Sequence, residues 1–237
     1  MSKYLVINAD DFGYAQGVNQ GIIAAYDRGV VLSTSLMVDM PLAVDAATQA
    51  RRLPGLGVGL HFTATDQAGP LLDLFDIAAV EQELLRQYQR CTELLGHPPT
   101  HLDSHHHVHL RKELKPFFVA WAGERGLHLR DSGVSHYNGG FYGQWYNEEW
   151  RAHPAPELVS IENLEKILRA LPEGVTELAC HPAYVTLDLE SSYAAEREIE
   201  LATLLNPRLL EMLSEFNITV TNFTALPTIV EEKHAAA

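Results

Sequence analysis

Between His101 and His109 the chain reads His101-Leu102-Asp103-Ser104-His105-His106-His107-Val108-His109, so His101, Asp103, His105, His107 and His109 fall at every second position. Imidazole nitrogens and carboxylate oxygens are the donors that hold zinc and related divalent ions. In an extended backbone, period two puts these residues on one face. In a helix, His101, His105 and His109 stand one turn apart. Either conformation gathers imidazoles, so metal binding is the chemistry the run favours. A solvated His-rich loop is the competing reading. A tag-like accident is disfavoured because the run follows Pro98 and Pro99 in mid-chain.

A second pattern closes the first apolar run. Tyr4-Leu5-Val6-Ile7 leads into Asn8-Ala9-Asp10-Asp11-Phe12-Gly13. Two adjacent carboxylates where a buried strand meets a loop are costly unless a metal or a catalytic task compensates them. One aspartate could bind metal while its neighbour faces water or substrate. Capping of the following helix would account for one of them, not for both.

A divalent ion lowers the pKa of a water it binds, and a neighbouring carboxylate can take the proton as general base. The ion can also stabilise the oxyanion of a tetrahedral intermediate. An amide has a poor amine leaving group and needs a general acid, a task His181 could perform from another strand end. These parts amount to metal-assisted hydrolysis, most naturally of an amide.

Residues so far apart in sequence need a frame that brings them together. The pattern predicts strands at 4–10, 31–38, 58–61, 100–103, 127–130, 177–180 and 218–220. Helices are expected at 16–28, 42–51, 77–95, 114–125 and 160–170, with further helix across 190–214. Repeated β-then-α order favours a parallel sheet, closed as a barrel or open and doubly wound. Asp10, Asp11, His61, Asp103, His105, Arg130 and His181 all fall where strands give way to loops, the end at which parallel α/β folds build their sites. Gly13, Gly17 and Gly21 have the wrong spacing for a dinucleotide fingerprint. The segment 136–150, with His136, Tyr137, Phe141, Tyr142, Trp145, Tyr146 and Trp150 among glycines, is a loop that could stack on a sugar, cover the site, or pack elsewhere.

The chain has 237 residues and 46% hydrophobic content, enough for one α/β domain spanning 1–237. No apolar run is long enough to span a bilayer and no signal-peptide pattern opens the sequence, so a cytoplasmic protein without a membrane partner is expected. The formal net charge of −14 argues against nucleic acid or an anionic membrane surface. Cys91 and Cys180 read as reduced core residues rather than a disulfide.

Five segments together resemble a known family: Asn8 to Gly13, Ser33-Thr34-Ser35-Leu36-Met37-Val38, Gly59-Leu60-His61, His101 to His109, and Glu177-Leu178-Ala179-Cys180-His181-Pro182. In this order they are similar to the motifs of the YdjC-like carbohydrate deacetylases. The best-known members remove acetate from oligosaccharides containing N-acetylglucosamine. The resemblance implies a distorted (β/α) TIM-like barrel, a divalent ion (magnesium or zinc), an N-acetylated sugar such as diacetylchitobiose as substrate, and often a homodimer. It also implies Asp11, His61 and His105 as metal ligands and Asp10 as general base. His181 occupies a motif position, and its assignment as general acid comes from the chemistry above. Asp103 is expected to hold a ligand imidazole through its ring N–H, and Arg130 to orient Asp10 or contact substrate. The stretch between His61 and His101 is compact, which leaves the length of the glycan open.

Competing readings are a metal-dependent phosphoesterase or sugar isomerase, and a non-enzymatic metal- or sugar-binding protein on the same fold. A phosphoesterase would want basic groups near the motifs, and few Arg or Lys flank them in sequence. His106 and His107 are weaker ligand candidates than His105, because neighbouring side chains cannot all reach one ion. His109 is expected near the site or at the surface, and His97, His128, His136, His153 and His234 at the surface or in packing.

Overall fold

The computed structural model of the chain describes residues 2–149 and 151–226. The elements run β1 (Lys3–Phe12), α1 (Gln16–Asp27), β2 (Ser33–Leu36), α2 (Ala43–Ala50), β3 (Gly57–Phe62), β4 (Thr65–Asp66), β5 (Gly69–Pro70), α3 (Ile77–Leu95) and β6 (His101–Ser104). After a 3-10 turn at His105–Leu110 come α4 (Lys115–Glu124), β7 (His128–Leu129), β8 (His136–Asn138), β9 (Gln144–Tyr146), β10 (Ala152–Pro154), α5 (Ile161–Arg169), β11 (Gly174–Cys180), α6 (Ala194–Leu205), α7 (Pro207–Glu215) and β12 (Ile218–Val220).

One parallel sheet carries the site, with strand order β7-β6-β3-β2-β1-β11-β8 and β12 added beside β1. β1 lies at its centre. One edge of β1 holds β11 along Lys3–Ala9, and the other is divided between β12 at Lys3–Leu5 and β2 from Asn8 onward. Leu5, Val6 and Ile7 have no solvent exposure, as a strand covered on both faces requires. The sheet curls but does not close: among the described residues β7 and β8 remain free edges of the path. The result is a single-domain α/β half-barrel, the distorted barrel that the family resemblance implies.

The helices bury stripes at helical spacing. In α3, Val80, Leu84, Gln87, Cys91 and Leu95 face inward; Asp76 caps the start by accepting from the Ala78 and Ala79 N–H groups, and Gly96 closes the end at φ 82°. Its bounds are those the sequence predicts. Both cysteines are buried and free.

The differences from expectation lie in short pieces. β8, part of the expected aromatic loop, pairs in parallel with β11 along Thr176–Leu178, and β9 pairs with β10 as a hairpin. Strands of two or three residues carry too little periodicity to be read from sequence. The strand reading of the histidine run holds only for His101–Ser104, after which the chain winds into the 3-10 turn. Trp150, His234 and the tail from Glu231 lie outside the described residues.

Candidate active site

The paired aspartates are presented by a β-bulge. β1 and β2 pair at Ala9↔Thr34 and again at Phe12↔Leu36, so Asp10 and Asp11 together oppose Ser35 alone. Asp11 takes a φ of 68°, a left-handed conformation uncommon for any residue but glycine. The bulge breaks the normal alternation of faces, and both carboxylates end up buried, Asp10 at 2% and Asp11 at 1% exposure. Neither caps α1, whose N-cap is Ala15 with no side-chain hydrogen bond.

From β1, from β3 and from the turn after β6, one donor atom each of Asp11, His61 and His105 converges, all within 4.8 Å of one another. His61 Nε2 and His105 Nδ1 each lie 3.2 Å from Asp11 Oδ1, an oxygen that is buried and has no hydrogen-bond partner. On its other side His61 Nδ1 is 2.7 Å from Asp103 Oδ1, and Ser35 Oγ donates to Asp103 Oδ2 at 2.8 Å. A ring N–H given to a carboxylate leaves the opposite nitrogen as a lone-pair donor, the usual outer arrangement of a metal-bound histidine. Burial alone would lower the His61 pKa, but Asp103 and Asp10 outweigh it and push the imidazole up to about 10. The pocket therefore favours positive charge. The orphaned Asp11 oxygen, the two imidazoles and the acidic surround fit a divalent cation.

Arg130, 1% exposed, follows β7 and binds three buried carboxylates. Nη1 and Nη2 grip Asp10 Oδ2 and Oδ1, both at 2.7 Å; Nη2 also lies 2.7 Å from Asp103 Oδ2, and Nε reaches Glu177 Oε1 at 2.5 Å. Burial opposes ionisation of Asp10, yet Arg130 holds its pKa below the usual carboxylate value. Glu177 is the least compensated of the three: burial, with Asp103 and Asp10 nearby, keeps it up at about 7 despite Arg130.

His181 sits at the end of β11 between two carboxylates. Its Nε2 is 3.8 Å from Asp10 Oδ2 and its Nδ1 3.8 Å from Glu200 Oε1. Burial lowers its pKa, but Glu200 and Asp10 dominate and raise it. Glu200 is fixed in turn by the His181 backbone N–H and the Tyr193 hydroxyl, each at 2.5 Å. The segment following His181 lies directly on α1. A Cβ on Gly17 would stand 1.8 Å from the Tyr184 carbonyl oxygen, and one on Gly21 2.8 Å from Ala183 Cα. Only glycines allow that approach.

The remaining histidines scatter. His101 is fully buried, with its ring against Gly59 and Phe223. His109 is buried with Nδ1 2.6 Å from Ser104 Oγ, and burial takes its pKa down to about 3. His106 and His107 adopt positive φ; His106 packs on the His105 ring at 3.9 Å and meets Thr65, and His107 meets Tyr137. Part of the aromatic segment walls the site: the Tyr142 ring stands edge-on to His181 at 5.5 Å and stacks on Tyr193 at 4.5 Å. Trp145 instead stacks on His153 and is half exposed.

The sequence predicts helix across α6, but not that its buried polar face reaches the site. Glu196, Arg197, Glu200 and Thr203 are all buried on it, and Arg197 Nη2 donates to Asp11 Oδ2 at 2.5 Å. The scarcity of basic residues beside the motifs is thus a property of the sequence, not of the site. Gln87 was missed as well; from α3 it clamps the residue two beyond His61, accepting from Thr63 N–H at 2.9 Å and donating to its carbonyl at 2.7 Å. Polar residues at stripe positions of a helix are the one signal that could have found them.

The open parallel half-barrel, with a carboxylate and imidazole cluster at the carboxyl ends of its strands, defines an α/β fold with a candidate divalent-ion centre. The chain belongs to the YdjC-like protein family, whose pattern matches residues 4–215. A chitooligosaccharide deacetylase of Serratia marcescens is 33% identical, over 95% of this chain and 100% of that protein. A carbohydrate deacetylase of Vibrio cholerae is 36% identical, over 94% and 96%. Among solved structures, an Enterococcus faecalis protein named for a proposed cellobiose-phosphate cleavage superposes with a TM-score of 0.77 at 29% identity, covering 95% of this chain and 99% of that one. A Bacillus subtilis peptidoglycan deacetylase shares the fold at 12% identity, with a TM-score of 0.55 over 99% and 95% of the two chains. Among the described residues no helix is long and apolar enough to cross a membrane.

Proposed function

We propose that the chain is one carbohydrate N-deacetylase domain that hydrolyses the acetamide of an N-acetylated amino sugar, with chitooligosaccharides such as diacetylchitobiose as the substrate class. The observation that carries this reading is the pairing of Asp10 and His181, 3.8 Å apart, beside the Asp11, His61 and His105 cluster. Two imidazoles and a carboxylate are a donor set that suits zinc or a related first-row ion better than magnesium, which prefers oxygen. Such an ion, held by Asp11, His61 and His105, would supply Lewis-acid polarisation of the acyl carbonyl and would acidify water.

The protein's own groups divide the proton work. Asp10, kept ionised by Arg130, accepts a proton from the attacking water as the C–O bond forms. His181, whose pKa Glu200 and Asp10 raise, gives a proton to the sugar nitrogen as the C–N bond breaks, releasing acetate and the free amine. Tyr142, stacked on the buried Tyr193, shields His181 from bulk water and offers a flat wall to a sugar ring.

The test is acetate release from diacetylchitobiose by the zinc-loaded chain and by Asp10→Asn. The expected outcome is unchanged zinc binding with kcat lowered by about 10²–10⁴-fold, the usual worth of a general base. A substituted protein that keeps turnover within about tenfold removes Asp10 from that role. No acetate from the unaltered, metal-loaded chain would send the reading to another N-acylated substrate.

A further inference from the structure

Asp11 faces the imidazoles through Oδ1 and gives its other oxygen to Arg197. That arginine is more than a counter-ion. Its side chain is 6% exposed, and neither Nε nor Nη1 meets a hydrogen-bond acceptor among the described residues. A buried donor without a partner is expensive, and a guanidinium cannot escape by losing its proton.

Arg130, in the same site, has Nε, Nη1 and Nη2 all engaged by carboxylates. The acids close to Arg197 on α6 are already committed: Glu200 to Tyr193 and the His181 N–H, and Glu196 to the Gln144 amide. What remains is a pair of fixed, desolvated N–H donors beside Asp11, on the side of the site from which α6 also presents Glu200 to His181. Planar, charge-assisted donors of this kind select carbonyl and carboxylate oxygens.

We propose that Arg197 binds the acyl oxygen: the acetamide carbonyl of the substrate on entry and the carboxylate of acetate on release. The assignment rests on the deacetylase reading and adds to it a residue that touches the reacting group. Developing negative charge on that oxygen in the transition state would strengthen the contact, so Arg197 contributes to rate as well as to binding.

The test is the acetate affinity of the full chain in excess zinc, by calorimetry or by line broadening of ¹³C-acetate, alongside zinc affinity, for the unaltered protein, Arg197→Met and Arg197→Lys. Loss of a charge-assisted hydrogen bond predicts an acetate Kd raised about tenfold or more in Arg197→Met, measured at zinc concentrations that saturate each protein. Arg197→Lys keeps a cation on Asp11 but loses the planar fork, so its acetate Kd should rise about fivefold; this variant decides the matter if the methionine protein does not fold. Acetate binding that is absent from the unaltered protein, or unchanged in both variants, overturns the proposal. Acetate affinity that returns to the unaltered value once zinc saturates both variants also overturns it, leaving Arg197 as a brace for Asp11. Acetate is titrated without sugar, so acetate release from diacetylchitobiose by the unaltered chain tests the deacetylase reading separately.

Discussion

Replacing Arg130 by Met should be the most damaging single change to the site that leaves the candidate ligands, Asp10 and His181 themselves in place. Arg130 neutralises Asp10, Asp103 and Glu177 from a position 1% exposed. Methionine fills much of the volume but leaves the three acids without their common cation. Breaking one buried pair by deleting a partner costs about 3–5 kcal/mol. At about 2–4 °C per kcal/mol for a chain of this size, Tm should fall by about 6–20 °C.

The orphaned acids give the loss a pH signature. Without Arg130, burial and mutual repulsion raise their pKa values. A carboxyl whose folded pKa is raised stabilises the fold at low pH and loses that contribution as pH rises through the folded value. The Tm deficit of Arg130→Met should therefore be largest near about pH 8 and shrink toward about pH 5. Thermal melts of both proteins at the two pH values, metal-free and zinc-loaded, decide it. A deficit below about 2 °C, or one that does not vary with pH, would refute the idea that Arg130 is the common counter-ion.

Two more outcomes follow from the same network. Glu177, with a folded pKa of about 7 against an ordinary 4.5, holds a proton more readily in the fold than in the open chain. Its contribution to stability is complete below the ordinary value and is lost as pH rises through about 7; Glu177→Gln should flatten that part of the stability–pH profile, and an unchanged profile would clear Glu177. Asp103→Asn removes the carboxylate that holds His61 Nδ1 at 2.7 Å, and zinc affinity by calorimetry should fall by about 10–100-fold; retention of full affinity would mean the His61 tautomer is set elsewhere.

The sequence makes the strand-end chemistry legible because each motif is local. Asp10 and Asp11, His61, the histidine run and His181 each close an apolar stretch, and β-then-α order sends all such ends to one rim. What it could not show is how neighbours within a motif divide the space. Asp10 and Asp11 both turn inward because of a bulge opposite Ser35, and nothing in the composition of β1 announces a bulge. In the histidine run the backbone takes positive φ at His106 and His107, so His105 faces Asp11 while His106 packs on the His105 ring and His107 against Tyr137; alternation would have kept His107 and His109 on the face of His105.

The least legible part of the site was the inward face of α6, and the physical reason is general. Hydrophobic periodicity finds the apolar stripe of a helix, but a helix that covers a charged site must bury polar residues on the covering face. The inward positions of α6 include Glu196, Arg197, Glu200 and Thr203 alongside Leu201 and Leu204, so its pattern reads as a mixed surface helix. Those polar residues are tolerable because complementary groups meet them: Asp11 on the rim for Arg197, and for Glu200 the His181 N–H on the rim with Tyr193 at the start of α6 itself. Helix and rim are each unfavourable alone, since either would bury uncompensated charge. The candidate site is therefore also a device that fixes α6 in place. Weakening it from either side should loosen the packing of α6 on α1 as well as the chemistry.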